Sequence, residues 1–410
     1  MKWRPSGPNA RIVLWTEWPW SLLMAWQGAY LSLYFVSRGA QPSAIGAAVG
    51  VSGLLQVVGL LGAGSLSNRM GRKAVIQWGD FLGWILVLGA WVVWPVPWVL
   101  LGGLVLQNAT AFVGPAWNSL FTEDAPADRV EKYFLVLQVM TVLGGLAVPL
   151  MASWVARAGV RATGTTVLLW AWPLVSMSWL GRALWLRESQ AGRLQQERWR
   201  ARLHTGWRER LREGSRGRNR VLAAIRVFVA VPVSLMTVFI PLMLVSRSGE
   251  HLPAASIALL PLFGSAATLL LSAASRWWQT VAPKWTLSAS VAALAVGFGV
   301  LTVAARGALL VVGLGWGLAL LGQSLFSTVH TPLWLAGLSD EARVDVQGWI
   351  GAITGGLTAV LGPLLALILT RDARQVAGAL AVLPLLALPL SLRLAGSSAA
   401  ATALPPTANP

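Results

Sequence analysis

The sequence predicts an all-α membrane protein, with twelve transmembrane helices arranged as two pseudo-symmetric six-helix bundles. Three observations carry that expectation. The composition is 56% hydrophobic and only 11% charged, with a mean hydropathy of +0.63, which excludes an ordinary soluble domain. The apolar runs are each about 20 residues long, the length that crosses a bilayer as a helix, and short motifs recur between the two halves of the chain.

The connector 64–73 sets the orientation. It reads Gly-Ser-Leu-Ser-Asn-Arg-Met-Gly-Arg-Lys between apolar runs 42–64 and 74–94. Arg69, Arg72 and Lys73 cannot rest in hydrocarbon, and the positive-inside bias assigns such a hairpin to the cytoplasm. Helix one (12–36) then starts inside, behind Lys2, Arg4 and Arg11. It is expected to be retained, because the run is too long for a signal h-region and no small-residue cleavage site follows. Helix two (42–64) comes after an outer loop, and helix three (74–94) ends at a Trp-Pro-Val-Pro-Trp turn where proline removes the donor a helix needs. Helices four (99–121), five (133–156) and six (162–186) complete the first bundle, residues 1–186.

Residues 187–220 turn to Gln-, Glu- and Arg-rich sequence and read as a basic cytoplasmic linker, helical in part along its Glu-Arg pairs. Six more runs fill the second bundle (221–396): 221–245, 254–274, 287–304, 307–330, 346–369 and 376–394. The Ala-, Pro- and Thr-rich stretch 397–410 reads as a disordered tail. Both termini fall in the cytoplasm of a plasma-membrane protein. Of the 32 cations only Arg38, Arg157, Arg161, Arg247, Arg306, Arg371 and Arg374 fall on outer loops, so orientation also accounts for the +17 charge, and no nucleic-acid partner is expected. Many of the 24 tryptophans, such as Trp15, Trp94, Trp98 and Trp285, flank the spans as interfacial belts do.

The halves repeat by spacing. Pro115, Trp117, Glu123, Asp124 and Ala125 recur as Pro332, Trp334, Asp340, Glu341 and Ala342, and Gly144-Gly145-Leu146 followed by Pro149 is answered by Gly355-Gly356-Leu357 followed by Pro363. Duplication along the membrane normal predicts such pairs.

Segment 64–73 resembles motif A of the major facilitator superfamily, Gly-x-Leu-(Ser/Ala)-Asp-Arg-x-Gly-Arg-(Arg/Lys). Gly64, Leu66, Ser67, Arg69, Gly71, Arg72 and Lys73 fit it, and Asn68 stands where the family has Asp. With topology, linker and repeat, the resemblance covers nearly the whole chain. It implies a secondary transporter working by alternating access, in which this loop latches the halves through acids. The candidates are Glu123 and Asp124, and Asp340, Glu341 and Asp345. From spacing alone the same cations are equally well topology anchors. Gly144, Gly145 and Pro149 do not complete the Gly-x-x-x-Gly-Pro motif of drug/proton antiporters, Gly362-Pro363 falls on helix eleven instead, and helix four offers Gln107 and Asn108 where that group has an arginine.

Charged groups inside spans need a reason. Glu17 is either a proton-binding carboxylate or the partner of a loop arginine. Asp80, the other proton-coupling candidate, is expected to pair with an arginine of the hairpin region. Arg226 either meets an anionic substrate or Glu17, or is the last of the linker's interfacial arginines. Neutral polar residues at mid-depth mark a cavity: Gln27, Tyr30 and Tyr34 on one face of helix one, Gln107 and Asn108 on helix four, Gln138 on helix five and Gln323 on helix ten. Interhelical hydrogen bonds without a ligand are the alternative for each.

The expected function is transport of a small solute, uncharged or amphipathic, with efflux favoured. Proton-coupled nutrient uptake and a non-transporting sensor of the same fold are the alternatives. Catalytic motifs are absent, the three histidines are scattered, and there is no cysteine, so no enzyme, metal or cofactor is expected. A monomer in the lipid bilayer, with protons as a possible coupling ion, completes the reading.

Overall fold

The computed structural model describes residues 8–122, 127–200, 212, 217–246, 248–273, 283–304, 308–335, 338 and 340–396. Among them the regular structure is helical throughout, with no strand. The first predicted span is divided into α1 (Pro8–Thr16) and α2 (Trp18–Ser37). Pro19 cannot donate to the carbonyl of Trp15, so the helix breaks at Glu17. Next come α3 (Pro42–Leu61) and α4 (Ala63–Met70), and Gly71 turns the hairpin at φ 90°, a left-handed value that favours glycine.

The third span comprises α5 (Arg72–Asp80), a π-helical stretch Phe81–Leu86 and α6 (Val87–Val93). The fourth is α7 (Pro97–Ala109), a 3-10 turn and α8 (Val113–Thr122). After α9 (Ala127–Ala147), α10 (Ala152–Trp185) passes through Gly159 at φ 80°, where its axis breaks. The linker carries α11 (Gln190–Arg200). The second half consists of α12 (Gly217–Val245), α13 (Ala254–Ile257), α14 (Leu260–Ala273), α15 (Pro283–Val303), α16 (Leu309–Leu335), α17 (Asp340–Arg371) and α18 (Gln375–Gly396).

Nine stretches of the described residues are long and apolar enough to span a bilayer. One of these, Val139–Trp185, contains the break at Gly159, and Ala254–Leu270 falls short of the required length. The tail 397–410 lies outside the described residues.

The most extensive helix pairing joins α3 to α17. It is possible because Gly46, Gly50 and Gly53 face Gly355, Ala359, Gly362 and Pro363: a Cβ on Gly50 would come within 2.9 Å of Pro363 Cγ and 3.1 Å of the Ala359 carbonyl. Small residues permit such approach, which in lipid is the main source of packing energy. Helix α2 packs on α12, α9 on α14 and α10 on α13, and α4 and α8 also meet α17, so contacts along several helices join the halves. Large apolar side chains such as Trp98 (75% exposed) and Leu150 (79%) face outward, as a lipid-facing surface requires.

Candidate functional site

A cavity of about 540 Å³ opens among α2, the π-helical stretch, α7, α8 and α12. Gln27, Gln107 and Asn108 line it together with Ser32, Thr110, Ser234 and Thr237, and Trp84, Leu104 and Phe35 supply apolar wall. Thus three of the sequence-predicted cavity residues share one space. Gln27 Nε2, Ser32 Oγ and Gln107 Nε2 are buried without a hydrogen-bond partner, and such groups are costly unless something meets them. Asn108 is committed: its Oδ1 accepts from Gln56 Nε2 at 3.3 Å, and its Nδ2 donates to the Leu104 carbonyl.

The other predicted cavity residues point elsewhere. Tyr30 is buried and donates its hydroxyl to the Ala254 carbonyl at 3.0 Å. Tyr34 is buried beneath the Arg38 guanidinium, 5.3 Å from the ring centre, and against Gly164. The face of α2 that lines the cavity is Gln27, Leu31 and Phe35, with Gly28 and Ser32 beside it, the i, i+4, i+8 stripe of an α-helix. Tyr30 and Tyr34 form the neighbouring stripe, so the expected grouping of Gln27 with both tyrosines is corrected. Gln323 is half-buried on α16 and is not part of the lining. The side chain of Gln138 lies outside the described residues. Arg226 stacks on the Trp334 ring at 5.4 Å. It caps a ladder on α16 in which His330 stacks on Phe326 at 4.5 Å and donates from Nε2 to the Leu222 carbonyl at 2.8 Å.

Asp80 lines the cavity and is its charged residue among those described. It is 5% exposed. Its partner is Arg182 of α10, whose Nη1 lies 3.4 Å from Asp80 Oδ2, whose Nη2 pairs closely with Glu17 Oε2, and whose Nε donates to Thr16 Oγ1 at 3.0 Å. The hairpin arginine expected for Asp80 is therefore replaced by an arginine 102 positions away, which also satisfies Glu17. Arg182 sits four residues before the end of predicted helix six, where it reads as an ordinary boundary cation; two unexplained intramembrane acids were the available signal that a shared cation existed. The guanidinium lies 5.0 Å over the Trp20 ring, and Trp20 meets Trp84 edge-on at 4.9 Å. Both acids occupy helix irregularities, Glu17 at the break between α1 and α2 and Asp80 immediately before the π-helical stretch, a local form frequent at functional sites.

The motif A hairpin is docked on the linker. Arg72 is 1% exposed; its Nη2 donates to Gln195 Oε1 at 3.2 Å and its Nη1 to Ser189 Oγ at 3.5 Å. The Lys73 amide donates to Glu188 Oε2 at 3.0 Å. Arg69 is exposed and Asn68 half-buried, while Leu66 packs on a core cluster built around Val75, Leu120 and Phe121. Gly64 lies directly against the carboxylate of Asp345 on α17. Glu123 and Asp124 lie outside the described residues, as do the side chains of Asp340 and Glu341. The expectation of acids from helix-four and helix-ten loops missed Glu188, Ser189 and Gln195. Nearby, Asn118 Nδ2 donates to Gln347 Oε1 at 3.3 Å, tying α8 to α17.

No curated protein matches the sequence. Among solved structures, the human organic anion transporter MFSD10 (TETRAN) is similar at a TM-score of 0.63 and 15% identity, covering 95% of this chain and 100% of that one. The nucleoside transporter NupG, solved as a point mutant, gives 0.63 at 12% identity, covering 95% and 100%. A POT family transporter in complex with a thioalcohol-conjugated peptide gives 0.66 at 10% identity, covering 94% and 95%. At these identities the likeness is one of fold. The sequence model of the Major Facilitator Superfamily matches residues 20–363, and this all-helical, multi-pass membrane chain belongs to that family of transporters.

Proposed function

We propose that the chain is a secondary transporter that moves a small amphipathic organic solute by alternating access, in two six-helix bundles (1–186 and 221–396) joined by the linker 187–220. The observation that carries the reading is the cavity: about 540 Å³, bounded by helices of both halves, and lined by amide- and hydroxyl-bearing side chains together with apolar ones. Inverted or duplicated bundles rock about such a site, and cavity-lining polar groups replace the solute's water. The loop 64–73 and Asp345 support a latch at the cytoplasmic face, since Gly64 receives the acid where α4 meets α17.

Efflux is the direction we assign, because an amphipathic solute partitions into a membrane unaided and needs driving only to leave. Coupling to protons through Glu17 or Asp80 is part of this reading. A thermal-shift screen of purified protein selects ligands, and flux of any hit in proteoliposomes with and without a pH gradient tests the function. Accumulation against the solute gradient when protons flow oppositely supports efflux. Accumulation with the protons supports nutrient uptake, and binding without flux in either direction supports a sensor.

A further inference from the structure

We infer that the polar end of the transported solute carries a single positive charge, and that Asp80 is the group that receives it. The inference rests on the transporter reading and adds the solute's chemical class.

The charge balance around Arg182 is the first ground. One guanidinium serves two carboxylates, Glu17 and Asp80, so the ionised trio carries one net negative charge in a setting where unbalanced charge is expensive. The compensation is shared unequally. Glu17 holds the closer contact and has a side chain 22% exposed, whereas Asp80 sits at 3.4 Å from Nη1 with a side chain 8% exposed. Asp80 is thus the less neutralised and the less hydrated acid, and it is the one that borders the cavity.

The lining is the second ground. Around Asp80 the wall consists of neutral amides, hydroxyls and apolar groups from α2, α7, α8 and α12, with no second charge among the described residues. No lining residue among those described carries a positive charge, and the neighbouring cation, Arg182, is already shared between Asp80 and Glu17. Gln27 is 8% exposed and Ser32 3% exposed; both are lining residues, and each holds a buried polar atom without a partner. Trp84 lines the same cavity four positions along the chain from the acid, and aromatic rings attract cations. A protonated amine, an amidinium or a quaternary ammonium on an apolar body fits these features together; an anionic solute does not.

The test is a ligand-induced thermal shift on purified full-length protein with charge-matched probes. Phenyltrimethylammonium is compared with its uncharged isostere tert-butylbenzene and with benzenesulfonate, and tetramethylammonium and tetraphenylphosphonium extend the cation series in size. At least one cation of the series is expected to stabilise the protein at about tenfold lower concentration than the neutral and anionic probes. That preference is expected to vanish in Asp80→Asn, which leaves Arg182 and Glu17 as a balanced pair. Glu17→Gln provides the second variant: Arg182 then neutralises Asp80 alone, and the cation preference is expected to fall as well. Equal response to charged and neutral probes, no response to any cation, or a preference that survives both substitutions overturns the inference. A chain that transports only neutral or anionic solutes sinks the inference and keeps the function, whereas cation binding without flux sinks the function and keeps the site.

Discussion

Replacing Arg182 with Met removes the one cation that a half-buried and a buried acid share. Glu17 can rehydrate through its exposed fraction, but Asp80 is 8% exposed at the side chain and cannot. Leaving a buried partner unpaired costs about 3–5 kcal/mol, and loss of the contact over Trp20 adds about 1 kcal/mol. Asp80→Asn alone is milder, about 1 kcal/mol, because Arg182 and Glu17 remain a pair. If the two acids and the arginine form one unit, the double variant Arg182→Met with Asp80→Asn is less damaged than Arg182→Met alone, with a coupling of about 2–3 kcal/mol. Unfolding in mixed detergent micelles, followed through the fluorescence of the 24 tryptophans, measures all three. An Arg182→Met variant within about 0.5 kcal/mol of the parent, or single effects that simply add, would refute the network.

Other consequences follow from the same geometry. Gly50→Val forces a methyl into Pro363 and the Ala359 carbonyl; we expect a loss of about 1–3 kcal/mol in stability and of flux, with the matching change Gly102→Val, whose Cβ meets nothing within 4 Å, as the control. Arg72→Ala is expected to leave insertion intact, reduce flux and expose the segment around Glu188 to Gln195 to protease, because the hairpin loses its hold on the linker. Gln107→Leu removes an unpartnered donor from the cavity wall, so ligand affinity should change by about tenfold in either direction while the unfolding midpoint stays near or above the parent's.

The helical class was legible because spans are written in the chain as apolar runs of a length set by the bilayer, and the hairpin 64–73 identified the family without any tertiary information. Partnerships across the fold were less legible. Arg182 looks like the cation that ends a span, and only the packing of α10 against α1 and α5 brings it to Glu17 and Asp80. Tyr30 and Tyr34 read as sharing the face of Gln27, but one stripe of a helix is narrower than the set of polar residues it carries, and the two tyrosines turn toward α13 and α10 instead. The break at Glu17 follows from Pro19 and could be read locally. The π-helical stretch after Asp80 has no comparable sequence signal, since Phe81–Leu86 is an ordinary apolar segment.

The central claim is that the cavity communicates with each side of the membrane in turn. The chain contains no cysteine, so a single Thr237→Cys substitution places one thiol in the cavity wall. Membrane-impermeant maleimide applied to right-side-out and inside-out vesicles reads its access. The account predicts labelling from both sides, with the balance between them shifted by a stabilising ligand; labelling from one side only, unchanged by any ligand, would contradict it.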